Sequence, residues 1–315
     1  MTSEAPDLAG PIDPFAETVH GAYRDGVVEV RALTGIRPRR ALHMVRTPHF
    51  DVRHVGDRLH VDHCVPPARV DDDLSGLLAD ELFGPGWLRG PELFERIFTG
   101  VVRTSAPSAR QSWELFYRNT LARVDEAIAD GYDPATPSGH GTIADYAPVY
   151  ARAEALLAPG SVLELGCCFG FLALRLAAAG RQVTASDVSP GTVRLLESVA
   201  PRLGVDLATR VADAARFPAA DGSADNVLVV HLLEHLEPEH GDRVVAEAVR
   251  LAARRVVVAC PLEEEADETW GHVRTVSIAD LDRWGRRTGL PYAVGEHHGG
   301  WLVIDADMLT LPTGR

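Results

Sequence analysis

Lysine is absent from this sequence, and all 31 basic residues are arginine. Two kinds of catalytic machinery depend on a lysine side chain. One is the P-loop, in which the lysine binds nucleotide phosphates, and the other is an active site that forms a Schiff base with its substrate. The sequence therefore excludes both. The excess of acidic residues gives a formal net charge of -14 and a pI near 5.3.

Clusters of positive charge, which a nucleic acid or an anionic membrane surface requires, are not expected in so acidic a chain. We therefore predict no nucleic-acid partner and a small substrate that is neutral or basic. Apolar runs are short as well, and none approaches the roughly 18 to 20 residues of a membrane-spanning helix. No membrane span is predicted.

Cysteine is scarce, and the four cysteines form no C-x-x-C pair: they are Cys64, Cys167, Cys168 and Cys260. This spacing predicts neither a disulfide framework nor a zinc ribbon, and no secretory leader is recognisable. The expected location is the reducing cytoplasm. With 46% hydrophobic and 24% charged residues, the composition is that of a soluble globular protein.

The first 135 residues are predicted to form an auxiliary α+β region with a small antiparallel sheet and helices. Strand patterns lie at 27–30, 42–46, 50–54 and 58–61, and helical patterns at 71–83, 91–102 and 109–130. Proline and glycine at 131–141 mark a boundary, so residues 136–315 are assigned to a second domain.

Three potential metal ligands alternate in the last of these strands. His60, Asp62 and Cys64 would share one face of an extended chain, a spacing compatible with a metal ion. No second ligand pair of recognisable spacing follows. A polar edge strand explains the same residues, and we favour that interpretation.

The second domain is organised around residues 161–180. Val162, Leu163 and Leu165 form a short apolar run that ends at Gly166, and a helical pattern extends from Phe171 to Gly180. This order predicts a strand, a tight glycine turn and a helix. In an open α/β sheet such a turn lies at the carboxyl end of a strand, where polar or charged ligands bind.

Two features of the turn restrict the ligand. Gly166 and Gly170 are separated by three other residues, so the G-x-G-x-x-G dinucleotide fingerprint is missing. Glu164 would repel a pyrophosphate but could help to hold a cationic amino group. The string E-L-G-C-C-F-G resembles the first motif of class I S-adenosylmethionine (SAM) methyltransferases, E-x-G-x-G-x-G. Cys168 replaces the middle glycine, which a small side chain permits if that residue needs no positive φ.

This resemblance implies SAM as the cofactor and a Rossmann-like, seven-stranded α/β domain with a final hairpin. Asp187 ends the predicted second strand in the string V-T-A-S-D-V-S, which also contains Val188, and would accept both ribose hydroxyls. Asp213 and Ala214 correspond to the adenine-binding segment, although Asp213 could instead be a helix N-cap. Tyr146, with the loop His140-Gly141-Thr142, corresponds to a lid over the methionine end of the cofactor. The implied cofactor-binding residues are Glu164, Gly166, Cys168, Gly170, Asp187, Val188, Asp213, Ala214 and Tyr146.

Histidines follow the predicted fourth strand at 225–230. If the chain then turns helical, His231, Glu234 and His235 share one face. The segment resembles the L-E-H of many class I methyltransferases, and a similar E-x-x-E-H binds a metal in the ubiquinone-biosynthesis O-methyltransferases. We predict no metal site and keep a divalent ion as the alternative. A neutral imidazole can act as the base, and the candidates, in order, are His231, His235, His272 and His297.

A narrower resemblance is carried by the strings F-E-R-I-F-T-G-V-V-R, L-E-L-G-C-C-F-G-F and E-H-H-G-G-W-L-V-I-D. They resemble the actinobacterial mycofactocin oligosaccharide methyltransferases, which implies methylation of a glucose hydroxyl on an oligosaccharide. Two alternatives stay open. One is an O-methyltransferase for a quinone, a polyketide or another small-molecule hydroxyl, and the other is a SAM-binding protein without catalysis. The sequence does not indicate the oligomeric state.

Overall fold

The computed structural model describes residues 12–37, 39, 43–131, 142–267 and 270–307. Over these residues the chain divides into two compact units, one formed mainly by residues 12–124 and the other mainly by residues 144–307. Each unit contains one β-sheet, with five strands in the first and seven in the second. Most of the predicted boundary at 131–141 lies outside the described residues.

Five short strands form the first sheet: β1 (Ala22–Arg24), β2 (Val28–Ala32), β3 (Val45–Arg46), β4 (Phe50–Val55) and β5 (Arg58–His63). Their order is β1-β2-β5-β4-β3, and β2 pairs with β5 in parallel. The prediction of an antiparallel sheet therefore holds for three of the four strand pairs and is wrong for β2 and β5. Side-chain alternation indicates a strand but not its direction, and the intervening β3–β4 hairpin reverses the chain before it enters β5.

The edge-strand interpretation of His60, Asp62 and Cys64 is also wrong, because β5 is the central strand of this sheet. Asp62 forms an ion pair with Arg53 on the neighbouring strand, and the His60 ring lies 3.8 Å from Glu29. Buried polar side chains are thus accommodated by partners on the adjacent strands.

Three α-helices accompany the first sheet: α1 (Asp73–Leu78), α2 (Pro91–Arg103) and α3 (Ala109–Asp130), of which the last continues into the second unit. A π-helical turn at Ala79–Phe83 completes the predicted first helix. Close packing of α2 on β2 requires Gly100, because a Cβ atom there would lie 2.3 Å from Cγ2 of Val30. No helix in the described part of the chain is long and apolar enough to cross a membrane.

Seven strands form the second sheet: β6 (Val162–Leu165), β7 (Val183–Asp187), β8 (Ala208–Val211), β9 (Ala224–Val230), β10 (Ala252–Cys260), β11 (Tyr292–Glu296) and β12 (Gly300–Asp305). Their order is β11-β12-β10-β9-β6-β7-β8. β12 is antiparallel to both neighbours, and the other pairs are parallel. The predicted Rossmann-like sheet with a final hairpin is confirmed.

Five helices belong wholly or mainly to this unit: α4 (Thr142–Leu156), α5 (Phe171–Ala178), α6 (Pro190–Val199), α7 (Pro238–Leu251) and α8 (Ile278–Thr288). The sequence analysis did not predict α7, although Val244, Ala248 and Leu251 form its buried stripe. Ser277 and Asp280 form a reciprocal capping box at the start of α8.

The position of the site follows from the strand order. The order reverses between β6 and β9, which pair in parallel with Leu165 opposite Val229. In doubly wound sheets, ligands bind outside the carboxyl ends of the strands at such a reversal. The segments that follow Leu165 and Val230 therefore border the same crevice.

Candidate active site

The glycine turn after β6 fits tightly against two leucines. Gly166 and Gly170 have φ values of 73° and 75°. A Cβ atom on Gly166 would lie 2.7 Å from Cδ1 of Leu232, and one on Gly170 would lie 2.6 Å from Cδ2 of Leu196. Both positions therefore require glycine, for the backbone conformation and for the space. The backbone N–H groups of the turn are used within the protein: those of Gly166 and Cys167 donate to the carbonyl of Ser186, and that of Gly170 donates to the carbonyl of Cys167.

Cys168, between these glycines, also has a left-handed backbone, with a φ of 48°. The condition under which the sequence admits a cysteine here is therefore not met, and the residue carries strain of about 1–2 kcal/mol. Its thiol is exposed. Its backbone N–H donates to Oδ2 of Asp187 at 3.0 Å, and this hydrogen bond helps to hold the strained turn.

Glu164 is buried on β6 immediately before the turn, with an exposure of 4%. Its Oε2 atom has no hydrogen-bond partner. Burial raises the pKa of Glu164 to about 8, a hydrogen bond from the backbone of Ala173 opposes this shift, and the charge of Asp187 adds to it. A carboxyl group in this state is available to a donor or a cation that enters the crevice.

Asp187 is the last residue of β7, as predicted. Its Oδ2 accepts the N–H of Cys168, and its Oδ1 accepts the N–H of Ser189 at 2.9 Å. A carboxylate has about four lone-pair positions, so each oxygen keeps acceptor capacity for a ligand hydroxyl. Val188, the next residue, is 71% exposed and offers an apolar surface beside it.

Asp213 and Ala214 lie in a turn after β8. Oδ1 of Asp213 accepts the N–H of Ala215 at 2.9 Å and lies 3.0 Å from Nε2 of His240. These contacts lower the pKa of Asp213. The alternative that Asp213 caps a helix is wrong, because residues 212–217 form turns.

Only some residues of the predicted lid over the cofactor belong to the described part of the chain. His140 and Gly141 lie outside the described residues. Tyr146 belongs to α4, and its ring centroid lies 4.9 Å from that of Tyr150. Its predicted role at the cofactor stays a prediction.

The chain turns sharply after β9. His231 has a left-handed φ of 50°, and its N–H donates to the carbonyl of Ala259 at 2.9 Å. A short 3-10 turn then covers Leu233–His235. The single helical face expected for His231, Glu234 and His235 therefore does not form. His231 as a whole is partly exposed, but its Nε2 atom is buried and has no hydrogen-bond partner. Burial, followed by the nearby His272 and His235, lowers its pKa to about 4.

Glu234 is the second buried carboxyl of the crevice, with an exposure of 1%. Neither of its carboxyl oxygens has a hydrogen-bond partner. Its main-chain carbonyl accepts the N–H groups of Val273 and Arg274, so its backbone is fixed. Burial raises the pKa of Glu234 to about 8; among the smaller influences, Glu263 raises it further and Arg274 lowers it.

His235 and His272 come from different segments and meet beside Glu234. Their ring centroids are 4.9 Å apart in an edge-to-face arrangement. Nδ1 of His272 lies 2.8 Å from Oε2 of Glu263, and Nδ1 of His235 lies 3.2 Å from the carbonyl oxygen of Gly271. Among the described residues, Glu234, His235 and His272 form a group in which one possible ligand atom from each lies within 4.8 Å of the others.

The fourth catalytic candidate, His297, lies on the final hairpin. Its ring centroid is 4.7 Å from that of His298, and it is not a member of the group around Glu234. The sequence analysis missed Glu263, which lies 2.8 Å from His272, and His240, which contacts Asp213. The position of Glu263 just after β10, at the carboxyl edge of the sheet, was the available indication.

Comparison with known proteins shows a match to a protein family over the part of the chain that contains the glycine turn and the segment after β9. Residues 162–254 match a family described as "Methyltransferase domain". This span lies entirely within the second unit and includes the glycine turn, Asp187, Asp213 and the segment after β9. It ends before His272.

Two curated relatives come from Rauvolfia serpentina. Ajmaline N-methyltransferase is 32% identical over 98 residues, which are 30% of this chain and 33% of the relative. Norajmaline N-methyltransferase is 28% identical over 160 residues, or 44% and 53% of the two chains. The chain therefore matches between a third and about half of the length of these relatives.

Among solved structures, the chain is similar to magnesium protoporphyrin IX methyltransferase from Synechocystis PCC 6803 with bound SAM. The sequence identity is 20% and the TM-score is 0.41, over 59% of this chain and 78% of the other.

Proposed function

We propose that this chain is a SAM-dependent methyltransferase that methylates a hydroxyl group of a small molecule or an oligosaccharide. The observation that supports this most is the presence of two different chemistries at one edge of the sheet. A glycine turn with a buried, incompletely bonded carboxyl follows β6, and a cluster of imidazoles follows the adjacent β9.

The residues around the glycine turn fit the cofactor. Glu164 offers a buried oxygen without a partner, suited to the cationic amino end of SAM, and Asp187 retains acceptor capacity for ribose hydroxyls. Asp213 uses only Oδ1 in its two side-chain contacts, which suits a further donor such as the adenine amino group. SAM, when bound, supplies an electrophilic methyl group.

The imidazoles after β9 and β10 indicate which chemical group accepts the methyl group. An amine attacks through a lone pair that it already has when neutral, whereas a sugar hydroxyl is weakly acidic and must lose its proton as it attacks. The two curated relatives are named as N-methyltransferases. The histidines after β9 and β10 support a hydroxyl acceptor here, because they provide proton acceptors for a group that must lose its proton as it attacks.

The residue that accepts the proton of the acceptor hydroxyl is, in this proposal, His231. Its imidazole is neutral at physiological pH, so a ring nitrogen has a lone pair for the proton, although the burial that lowers its pKa to about 4 also makes it a weaker base. His235 and His272 lie close enough to influence that pKa and would orient the acceptor hydroxyl. The oxygen must reach the methyl carbon at about 3 Å, and holding it there supplies much of the rate enhancement.

The finer proposal is a glucose hydroxyl on a mycofactocin oligosaccharide, which rests on the three sequence strings quoted above. Quinone or polyketide hydroxyls are the second acceptor class. A SAM-binding protein without catalysis is a further alternative, and the strained Cys168 in the glycine turn is the observation that favours it.

The test combines calorimetric binding of SAM with transfer of a labelled methyl group to a mycofactocin glycan and to a phenolic acceptor. We expect binding and transfer to the glycan, with His231→Ala lowering kcat by a factor of about 10² to 10⁴ and leaving SAM affinity nearly unchanged. His54→Ala, which removes an exposed histidine of the first unit, is the control. SAM binding without transfer to either acceptor would instead support the non-catalytic alternative.

The remaining predictions stay proposals. They are a domain boundary near residue 135, a small-molecule substrate and a cytoplasmic location. No disulfide bond joins the four cysteines, all of which lie in the described part of the chain. Limited proteolysis between residues 131 and 141, followed by mass spectrometry of the fragments, tests the boundary.

A further inference from the structure

The cluster after β9 has the composition of a metal site. Its three members come from two segments: Glu234 and His235 from the 3-10 turn after β9, and His272 from the chain that follows β10. One potential ligand atom from each lies within 4.8 Å of the other two. We propose that Glu234, His235 and His272 bind a divalent transition-metal ion.

Glu234 provides the first argument. It is 1% exposed, and neither carboxyl oxygen has a hydrogen-bond partner in the described part of the chain. Burying a carboxyl group without partners is costly, and native proteins rarely leave both oxygens unsatisfied. A cation bound between Glu234 and the two imidazoles would satisfy it. The rigid backbone of Glu234, held by the N–H groups of Val273 and Arg274, fixes the position of this ligand.

The hydrogen bonds of the two histidines provide an independent argument. Nδ1 of His272 faces the carboxylate of Glu263, and Nδ1 of His235 faces the carbonyl of Gly271. Both partners are acceptors, so each Nδ1 carries the proton and each Nε2 keeps its lone pair. Metal-binding histidines have this arrangement, in which a carboxylate or carbonyl fixes the tautomer and the orientation of the ring. The metal would therefore bind through Nε2.

The ligand set also indicates the class of cation. Mg²⁺ and Ca²⁺ prefer oxygen ligands, whereas imidazoles favour Zn²⁺, Fe²⁺, Co²⁺ and Ni²⁺. Two imidazoles and one carboxylate also leave coordination positions open, as in catalytic rather than structural sites. We therefore expect Zn²⁺ or a similar ion to bind much more tightly than Mg²⁺.

An open position would give the metal a role in the proposed reaction, and this consequence rests on the proposed function. As a Lewis acid, the ion would lower the pKa of an acceptor hydroxyl. The hydroxyl proton would pass to the base, a new C–O bond would form, and the S–CH₃ bond would break with its electron pair going to sulfur. The products are the methyl ether, S-adenosylhomocysteine and one proton.

The experiment measures metal binding directly. The full chain is stripped with a chelator and titrated with Zn²⁺ in a calorimeter and with Co²⁺ followed by visible absorption. We expect one ion per chain, with Mg²⁺ unable to displace it. Glu234→Gln and His272→Ala should weaken Zn²⁺ binding at least 100-fold, about the upper end of the effect of losing an outer partner of a ligand.

Two further variants form a matched pair in the loop after β10. Glu263→Gln removes the carboxylate that orients His272 and should weaken binding about 10- to 100-fold. Glu264→Gln makes the same change at the neighbouring, exposed position and should leave binding unchanged. Because both residues are outside the core, this pair tests the site even if a buried variant fails to fold.

The outcomes separate this inference from the proposed function. Stoichiometric Zn²⁺ binding that Glu263→Gln weakens and Glu264→Gln does not supports the site, even if no acceptor is methylated. No binding of Zn²⁺ or Co²⁺ by the wild type, or equal binding by wild type and Glu263→Gln, overturns the site. Methyl transfer that persists in chelator, together with absent metal binding, would keep the proposed function and remove the metal.

Discussion

Buried carboxyl groups are treated differently in the two units. Among its described residues the first unit buries four, and each lies within 4.0 Å of at least one arginine nitrogen: Glu29, Asp51, Asp62 and Asp71. The second unit buries two, Glu164 and Glu234, and neither forms an ion pair in the described part of the chain. Both of these lie at the carboxyl edge of the seven-stranded sheet.

The difference separates structural from ligand-binding carboxyl groups. Cations beside a buried carboxyl offset the cost of burial to different degrees. At Glu29 burial is outweighed by Arg24 and the other nearby charges, and the pKa is lowered. At Asp71, whose ion pair with Arg123 spans 3.7 Å, burial and the charge of Asp73 still raise the pKa to about 6. Without such partners, burial raises the pKa of Glu164 and of Glu234 to about 8. A fold keeps so unfavourable an arrangement where a ligand completes it.

Removing a paired carboxylate in the first unit should give the largest effect. Asp51 is fully buried and accepts hydrogen bonds from Arg37 and Arg46. Asp51→Asn should destabilise the unit by about 3 kcal/mol, the lower end for breaking a buried ion pair, because both arginines keep some exposure. Hydrogen exchange of the β4 amides measures this. If Asp51→Asn changed the free energy of unfolding as little as Glu164→Gln does, the distinction between paired and unpaired buried carboxyl groups would be wrong.

Asp187 tests the ligand-binding edge. Asp187→Ala should weaken SAM binding by about 1.5 to 3 kcal/mol, because a charge-assisted hydrogen-bond acceptor is lost. Calorimetry measures the affinity, and circular dichroism checks that the variant is folded. Asp187→Asn keeps the shape of the side chain and loses its charge, so its SAM affinity should lie between those of Asp187→Ala and the wild type. Unchanged affinity in folded Asp187→Ala would show that the cofactor does not bind at the end of β7.

The pH dependence of stability tests whether the buried carboxyl of Glu164 lacks a partner. With a pKa of about 8 in the folded chain and an ordinary value when unfolded, the folded state binds more protons between these values. Its contribution to the free energy of unfolding therefore falls as pH rises, by up to about 1.4 kcal/mol per pH unit. We expect Glu164→Gln to gain stability relative to wild type from pH 5 to pH 8 in urea unfolding. A constant difference would mean that Glu164 has a hidden partner.

SAM affinity provides a second measurement at the same residue. If the ionised carboxylate holds the amino group of SAM, binding should strengthen as pH rises towards 8 in the wild type. The same series with Glu164→Gln should be nearly flat, and Asp187 remains as the nearby charge in both proteins.

Cys168 should give the smallest effect. Cys168→Gly removes about 1–2 kcal/mol of left-handed strain but adds about 0.5–1 kcal/mol of backbone entropy loss, so a net gain in stability of up to about 1.5 kcal/mol is expected. SAM affinity should stay within a few fold. Cys168→Ser keeps the β-carbon and should resemble the wild type. Loss of stability in Cys168→Gly, seen in urea unfolding of the second unit, would show that the thiol itself stabilises the turn.

Much of the second unit could be predicted because its evidence is local. The apolar run of β6 and the glycines at 166 and 170 reflect contacts within a few residues, and the structure has the expected elements at these positions. Asp187 ends β7 for the same reason. The first sheet was harder, because the parallel pairing of β2 with β5 joins segments about thirty residues apart and leaves no mark on their alternation.

The sequence by itself determined the α/β architecture of the second unit, the glycine turn and the order in which acidic and imidazole side chains follow the strands. Only the tertiary structure decided which of these groups have partners. Glu263 contacts His272, nine positions further along the chain, His231 lies off the expected helical face, and Cys168 adopts a positive φ. Burial and pairing are properties of the packed chain, because they depend on which distant segments exclude water from a side chain.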